Sequence, residues 1–293
     1  MAASTKISSV FRNGLFNGKV AIVTGGGTGI GKAITQELLY LGCNVMVASR
    51  NEERLRKATD EMKKNITSPA ELDHMQCNIR KEEQVQNLIS TTLKRFGKLD
   101  FLINNGGGQF PARAESFSLK GWNAVIETNL TGTFLCCREV YNQWMNDNGG
   151  VIVNIIADMW KGLPMMSHTG AARAAVDNLT KSLALEWAES GVRINSVAPG
   201  SSIYSETAAA NYGDPKIFAY NIPKIPLKRL GTVEEISTSV CFLLSPASAY
   251  ITGETIKVDG GGSLYSTMIF DIPDHKKSKA YTWKDDEKSK SKL

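Results

Sequence analysis

The residues with the most legible chemistry form a glycine-rich loop. The stretch VAIVTGGGTGIGKAI places Gly25, Gly29 and Gly31 directly after an apolar run and at the mouth of a helical pattern. Glycines at this spacing allow a tight turn and a close backbone approach to a ligand. The helix that follows offers unpaired N–H groups and the positive end of its dipole. Together these suit a pyrophosphate. At the end of the next apolar run, VMVASRN, Ser49 and Arg50 stand where an NAD site carries an acid for the ribose 2′-hydroxyl. A guanidinium can pair with a 2′-phosphate, which a carboxylate would repel. NADPH is therefore the expected cofactor.

A site of this kind needs strands to end beside it. Short apolar runs at 20–24, 44–48, 75–78, 101–104, 151–156, 193–198 and 255–258 read as strands, several of them almost continuously apolar. Helical patterns fill the gaps, as at 31–41, 52–64 and 81–95, and Thr232 with Glu235 reads as a capping box. Strand–helix alternation over the whole length predicts an α/β, Rossmann-like doubly wound parallel sheet of about seven strands in a single domain. Right-handed crossovers then bring every strand's C-terminal end to one edge, where ligands bind. The expected organisation is an N-terminal extension at 1–17, the dinucleotide-binding domain at 18–266 and a C-terminal tail at 267–293. From about Asp274 that tail is charged and nearly free of aliphatic residues.

Composition narrows the classes. The chain has 293 residues and a net charge of +5, part of it in the Lys-rich tail, so no nucleic-acid partner is expected. Five cysteines, none in a CxxC pair, read as reduced thiols, and three scattered histidines suggest no metal site. No apolar run reaches the ~18–20 residues of a membrane span. The first 16 residues lack acids and faintly resemble a mitochondrial presequence. The last three, Ser291, Lys292 and Leu293, form the peroxisomal address that an import receptor reads. The expected location is the peroxisome.

Several motifs in order resemble the short-chain dehydrogenase/reductase family over about 18–264. They are Thr24-Gly25-x-x-x-Gly29-x-Gly31, Asn78 near the third strand's end, Asn104-Asn105-Gly106-Gly107, Asn129 in ETNLTGTF, and Pro199-Gly200. Within the family, INNGGGQF, SGVRINSVAPG and the Ser-Lys-Leu end are most similar to peroxisomal trans-2-enoyl-CoA reductases, with the 2,4-dienoyl-CoA reductases as near relatives. The resemblance implies cofactor contacts from Gly25, Thr28, Gly29, Ile30, Ser49, Arg50, Asn78, Ile79, Asn105, Gly106, Gly107, Arg173, Pro199 and Gly200. It also implies an acyl-CoA substrate, and a homotetramer built on the helices at 122–145 and 168–188.

The family's usual catalytic set is Asn, Ser, Tyr and Lys. Asn129 matches it. Counting back from Pro199-Gly200 by the family's interval puts Arg173 at the Lys position, Thr169 at the Tyr position and Ile156 at the Ser position. A second register, Asp177 to Lys181, lies two helical turns further on.

Ketone reduction needs an acid to protonate an alkoxide. Enoyl thioester reduction sends hydride to Cβ and a proton to Cα, and its enolate oxygen needs hydrogen-bond donors more than an acid. The missing Tyr thus favours conjugate reduction. Thr169 is expected to be a donor, and Arg173 to hold ribose hydroxyls and supply positive potential. Tyr204 is the first candidate for the Cα proton donor, with Asp158 and His168 behind it. Aromatic residues Tyr204, Tyr212, Phe218 and Tyr220 in the insert after Gly200 suit an acyl chain. The rival readings are a 2,4-dienoyl-CoA reductase and a catalytically silent NADP-binding scaffold.

Overall fold

Val20–Thr24 (β1) is buried at all five positions, as a strand covered on both faces must be. In the computed structural model of the chain, which describes residues 7–205, 216–266 and 271–283, it is an interior strand of a seven-stranded sheet. The other strands are β2 (Asn44–Ser49), β3 (Leu72–Gln76), β4 (Phe101–Asn104), β5 (Gly150–Ile155), β6 (Val192–Pro199) and β7 (Thr255–Val258). Their order is β3-β2-β1-β4-β5-β6-β7, and every pair is parallel. Strand order reverses between β1 and β4, which opens a crevice at their C-terminal ends.

Helices α1 (Gly29–Tyr40), α2 (Glu52–Lys63), α3 (Glu82–Phe96), α4 (Leu119–Ile126), α5 (Gly132–Val140), α6 (Ser167–Glu186) and α7 (Val233–Leu244) cover the two faces. One apolar core joins α1, α2 and α7 to the sheet through Ile34, Leu38, Leu55, Ile236 and Val240. The other joins α3, α5 and α6 through Leu88, Ile89, Cys136, Val140 and Leu183. Boundaries follow local chemistry. Asn51 caps α2 by accepting from the Arg54 N–H at 2.8 Å, and Thr232 and Glu235 close the capping box of α7. All five cysteines are buried and free.

Three expectations are corrected. The third strand lies three residues upstream of 75, because Leu72–Gln76 is an edge strand with a half-exposed polar pattern and carries a weak apolar signal. The long helix expected over 122–145 is interrupted by two π turns, Glu127–Thr131 and Tyr141–Met145. The chain from 271 to 283 also does not leave the domain. Tyr281 bonds α7's capping residues, and Trp283 is only 5% exposed. The N-terminal extension is likewise anchored, with Phe16 in the core and the Ser9 hydroxyl donating to buried Glu37 at 2.6 Å. Tyr212, Ser291, Lys292 and Leu293 lie outside the described residues.

Candidate active site

The floor of the crevice is a crosslink between β1 and β4. Thr24 Oγ1 accepts from the Asn105 and Gly106 N–H groups at 3.1 and 2.9 Å. The Asn105 amide in turn donates to the Thr24 and Gly25 carbonyls at 3.0 and 3.2 Å. The result is a cleft of about 230 Å³ lined by Gly25, Thr28, Ser49, Arg50, Ile79, Asn105, Gly106 and Gly107, with Thr24, Ala48, Cys77 and Thr128 added by the fold.

The glycine spacing fits a dinucleotide. A Cβ on Gly31 would stand 2.3 Å from the Gly25 carbonyl oxygen, so only glycine lets the loop close over the N-terminus of α1. Gly29, with φ of 52°, and Ile30 open that helix. Arg50 is exposed at the end of β2 and, among the described residues, makes no ion pair, which leaves its guanidinium open to a phosphate. Asn78 stands between the lining residues Cys77 and Ile79, and its side chain accepts from the Arg80 N–H at 3.2 Å. Pro199 and Gly200 close β6, where the Pro199 carbonyl accepts from the Asp158 N–H. Burial pushes the Cys77 thiol up to about 11, so it lines the cleft as an inert wall.

Next to this cleft, Asn129, Thr169 and Arg173 meet. Asn129 sits in the π turn after α4 and is fully buried. Such turns often mark functional positions in helices. Its Oδ1 accepts from the Gly108 N–H at 2.9 Å, and its Nδ2 donates to the Gly108 carbonyl at 3.0 Å and to Thr169 Oγ1 at 2.9 Å. The Thr169 hydroxyl donates in turn to Gln109 Oε1 at 3.4 Å, a long bond that a better acceptor could displace.

One turn further along α6, Arg173 is 7% exposed. Its Nη1 donates to the Ile155 carbonyl at 2.7 Å, and its Nη2 lies so near Gly107 that a Cβ there would be 2.2 Å away. Among the described residues no carboxylate pairs with it. Burial without a counter-charge lowers its pKa to about 10, so it is still a cation at neutral pH.

A buried polar ladder holds α6 in place. Asn104 Nδ2 donates to Asn154 Oδ1, Asn154 Nδ2 donates to Thr180 Oγ1, and Thr180 Oγ1 meets Ser196 Oγ, each at 2.9 Å. It ties β4, β5 and β6 to the helix carrying Thr169 and Arg173. Sequence reading missed both the ladder and Gln109. The only signal for Gln109 is its place two residues after Gly107 in INNGGGQF.

The remaining candidates stand apart from this cluster. Ile156 packs against Val176 and Ala198 and brings no hydroxyl. Asp177 pairs with Lys181 at 2.6 Å and accepts from Thr255 Oγ1 at 2.6 Å, so the second register is spent on β7. His168 is buried against Phe110 and Phe117, and its Nδ1 accepts from the Thr169 N–H at 2.9 Å, a helix-start contact. The Asp158 carboxyl is raised by burial and then by Asp259. Tyr204 packs edge-on to Phe218 with ring centres 5.6 Å apart, and no contact among the described residues joins it to Thr169.

Fold and cleft together define a dinucleotide-dependent oxidoreductase of the doubly wound α/β class. Residues 25–263 match the family described as enoyl-(acyl carrier protein) reductase, and the chain belongs to that group of short-chain dehydrogenases/reductases, which use a nicotinamide cofactor. It is 37% identical over 262 residues to the peroxisomal 2,4-dienoyl-CoA reductase, (3E)-enoyl-CoA-producing, of Danio rerio, covering 89% of this chain and 87% of that one. It is 39% identical over 247 residues to a probable 2,4-dienoyl-CoA reductase, (2E)-enoyl-CoA-producing, of Bacillus subtilis, covering 83% and 96%. Among solved structures, the citronellol catabolism dehydrogenase AtuB of Pseudomonas aeruginosa PAO1 is 41% identical with a TM-score of 0.77, covering 87% of this chain and 99% of that one.

Proposed function

We propose that the protein is a peroxisomal, NADPH-dependent reductase of trans-2-enoyl-CoA. The observation that carries this reading is the donor set at the tyrosine position. It consists of a threonine hydroxyl oriented by Asn129 and a buried guanidinium one turn away that pairs with no carboxylate among the described residues. This set can hold a developing enolate oxygen, but it contains no acid suited to protonating an alkoxide. When bound, the nicotinamide supplies a hydride to Cβ. Gly25, Thr28, Asn105 and Gly106 would hold the dinucleotide, and Arg50 its 2′-phosphate. Asn129 fills the lone pair of Thr169 Oγ1, which frees the hydroxyl hydrogen for the thioester oxygen. Arg173 holds ribose hydroxyls and keeps positive potential beside that oxygen. The pair of electrons leaving the C=C bond returns to Cα with a proton, for which Tyr204 is the candidate donor.

The names of the relatives favour a second reading, reduction of a 2,4-dienoyl-CoA. The position of transfer separates the two. NADPH deuterated at nicotinamide C4 is expected to leave its deuterium at C3 of a saturated acyl-CoA. Deuterium at C5 of an enoyl-CoA assigns the dienoyl reading instead. The peroxisomal names of relatives such as those of Danio rerio and Rattus norvegicus support the location.

A further inference from the structure

The insert after Gly200 has two described stems, and they pair. Ile203 bridges Gly231, the Tyr204 N–H donates to the Gly231 carbonyl at 3.0 Å, and the Gly231 N–H donates to the Ser202 carbonyl at 3.1 Å. The far stem, Pro226–Gly231, holds the Tyr204 backbone, and the Tyr204 ring packs on Phe218. Beside its bonds to Ser202, Tyr204 and Ile225, this stem is also fixed by residues 271–283. His275 Nε2 lies 3.0 Å from the Pro226 carbonyl, which can only accept, so that nitrogen carries the proton. Arg229 Nε donates to Ser278 Oγ at 3.2 Å, while its fork grips Glu235 at 2.9 and 2.6 Å. Tyr281 completes the link, taking the Thr232 hydroxyl on its carbonyl at 2.8 Å and the Val10 N–H on its own hydroxyl at 3.1 Å. Lys228 within this stem has φ of 51°, a left-handed conformation that a non-glycine residue adopts only when its surroundings hold it there.

We infer that residues 271–283 are a strut for the substrate insert, with His275 and Ser278 as positioning residues for the acyl thioester. The inference rests on the acyl-CoA reading for its substrate and on geometry alone for the strut. A segment that reads as a solvated tail carrying an address is thereby part of the specificity apparatus.

The test is the full-length double variant His275→Ala/Ser278→Ala. Two readouts are needed. Hydrogen exchange should speed up at the Lys228 and Gly231 amides, which bond Ile225 and Ser202 across this stem. KM for enoyl-CoA should rise about tenfold or more, as expected for one lost neutral and one lost charge-assisted hydrogen bond, while kcat and the Kd for NADPH hold within about twofold. His275→Gln, which keeps a donor, should exchange and turn over like the parent. Unchanged exchange overturns the strut. Faster exchange with unchanged KM, or a joint fall in kcat and NADPH affinity, overturns the positioning role. If no acyl-CoA is reduced at all, the substrate reading falls and the exchange rates alone decide the strut.

Discussion

At residue scale, the account turns on a hydroxyl and a guanidinium. Thr169 Oγ1 accepts from Asn129 and has only a 3.4 Å acceptor for its own hydrogen. Thr169→Val keeps the shape and removes the donor. Its kcat is expected to fall ~10²-fold with NADPH affinity unchanged, measured by steady-state kinetics and a fluorescence titration. Arg173 predicts a separation of stability from activity. Burial depresses its pKa to about 10. Below pH 10 it is charged in both the folded and the unfolded chain, and burying that charge costs stability. As pH rises above about 10 the unfolded chain binds more protons, so this cost shrinks. At pH 7 Arg173→Met is therefore expected to lose activity without lowering the melting temperature of the cofactor-free protein, as followed by thermal denaturation. A fall of several degrees would contradict the view that Arg173 is held for function.

At element scale, the site is assembled where strands end and helices begin. The loop from β1 into α1 tolerates no side chain at Gly31, and Arg50 directly follows β2. Arg50→Glu is expected to weaken NADPH about 10- to 100-fold while sparing NADH, as measured by Kd for each. Much of this level was legible. Nearly continuous apolar strands such as β1 and β4 announce themselves, and the glycine spacing names the loop they feed. Edge strand β3 was misplaced because only Leu72 is fully buried in it. The Asn104–Asn154–Thr180–Ser196 ladder was invisible because its members are spread over 93 residues of sequence and meet only through the β4–β5–β6 order. The Thr169 register could be read because it depends on spacing within one helix.

At the scale of the whole molecule, the chain ends are the part that composition misjudged. A charged segment has no core of its own, yet it can borrow one. Trp283 is buried and Tyr281 reaches the start of α7, while Ser9 reaches α1 and Phe16 joins the core. Hydropathy patterns report what a segment can bury by itself and not the surface offered by a domain already folded. The central claim concerns the molecule as a catalyst. Its most direct test follows NADPH absorbance with trans-2-hexenoyl-, decenoyl- and hexadecenoyl-CoA, alongside a 2,4-dienoyl-CoA and a 3-ketoacyl-CoA. Turnover of the mono-enoyl substrates with the ketoacyl-CoA inert is the predicted result. Reduction of the 3-ketoacyl-CoA at a comparable rate, or of the dienoyl-CoA alone, would contradict it.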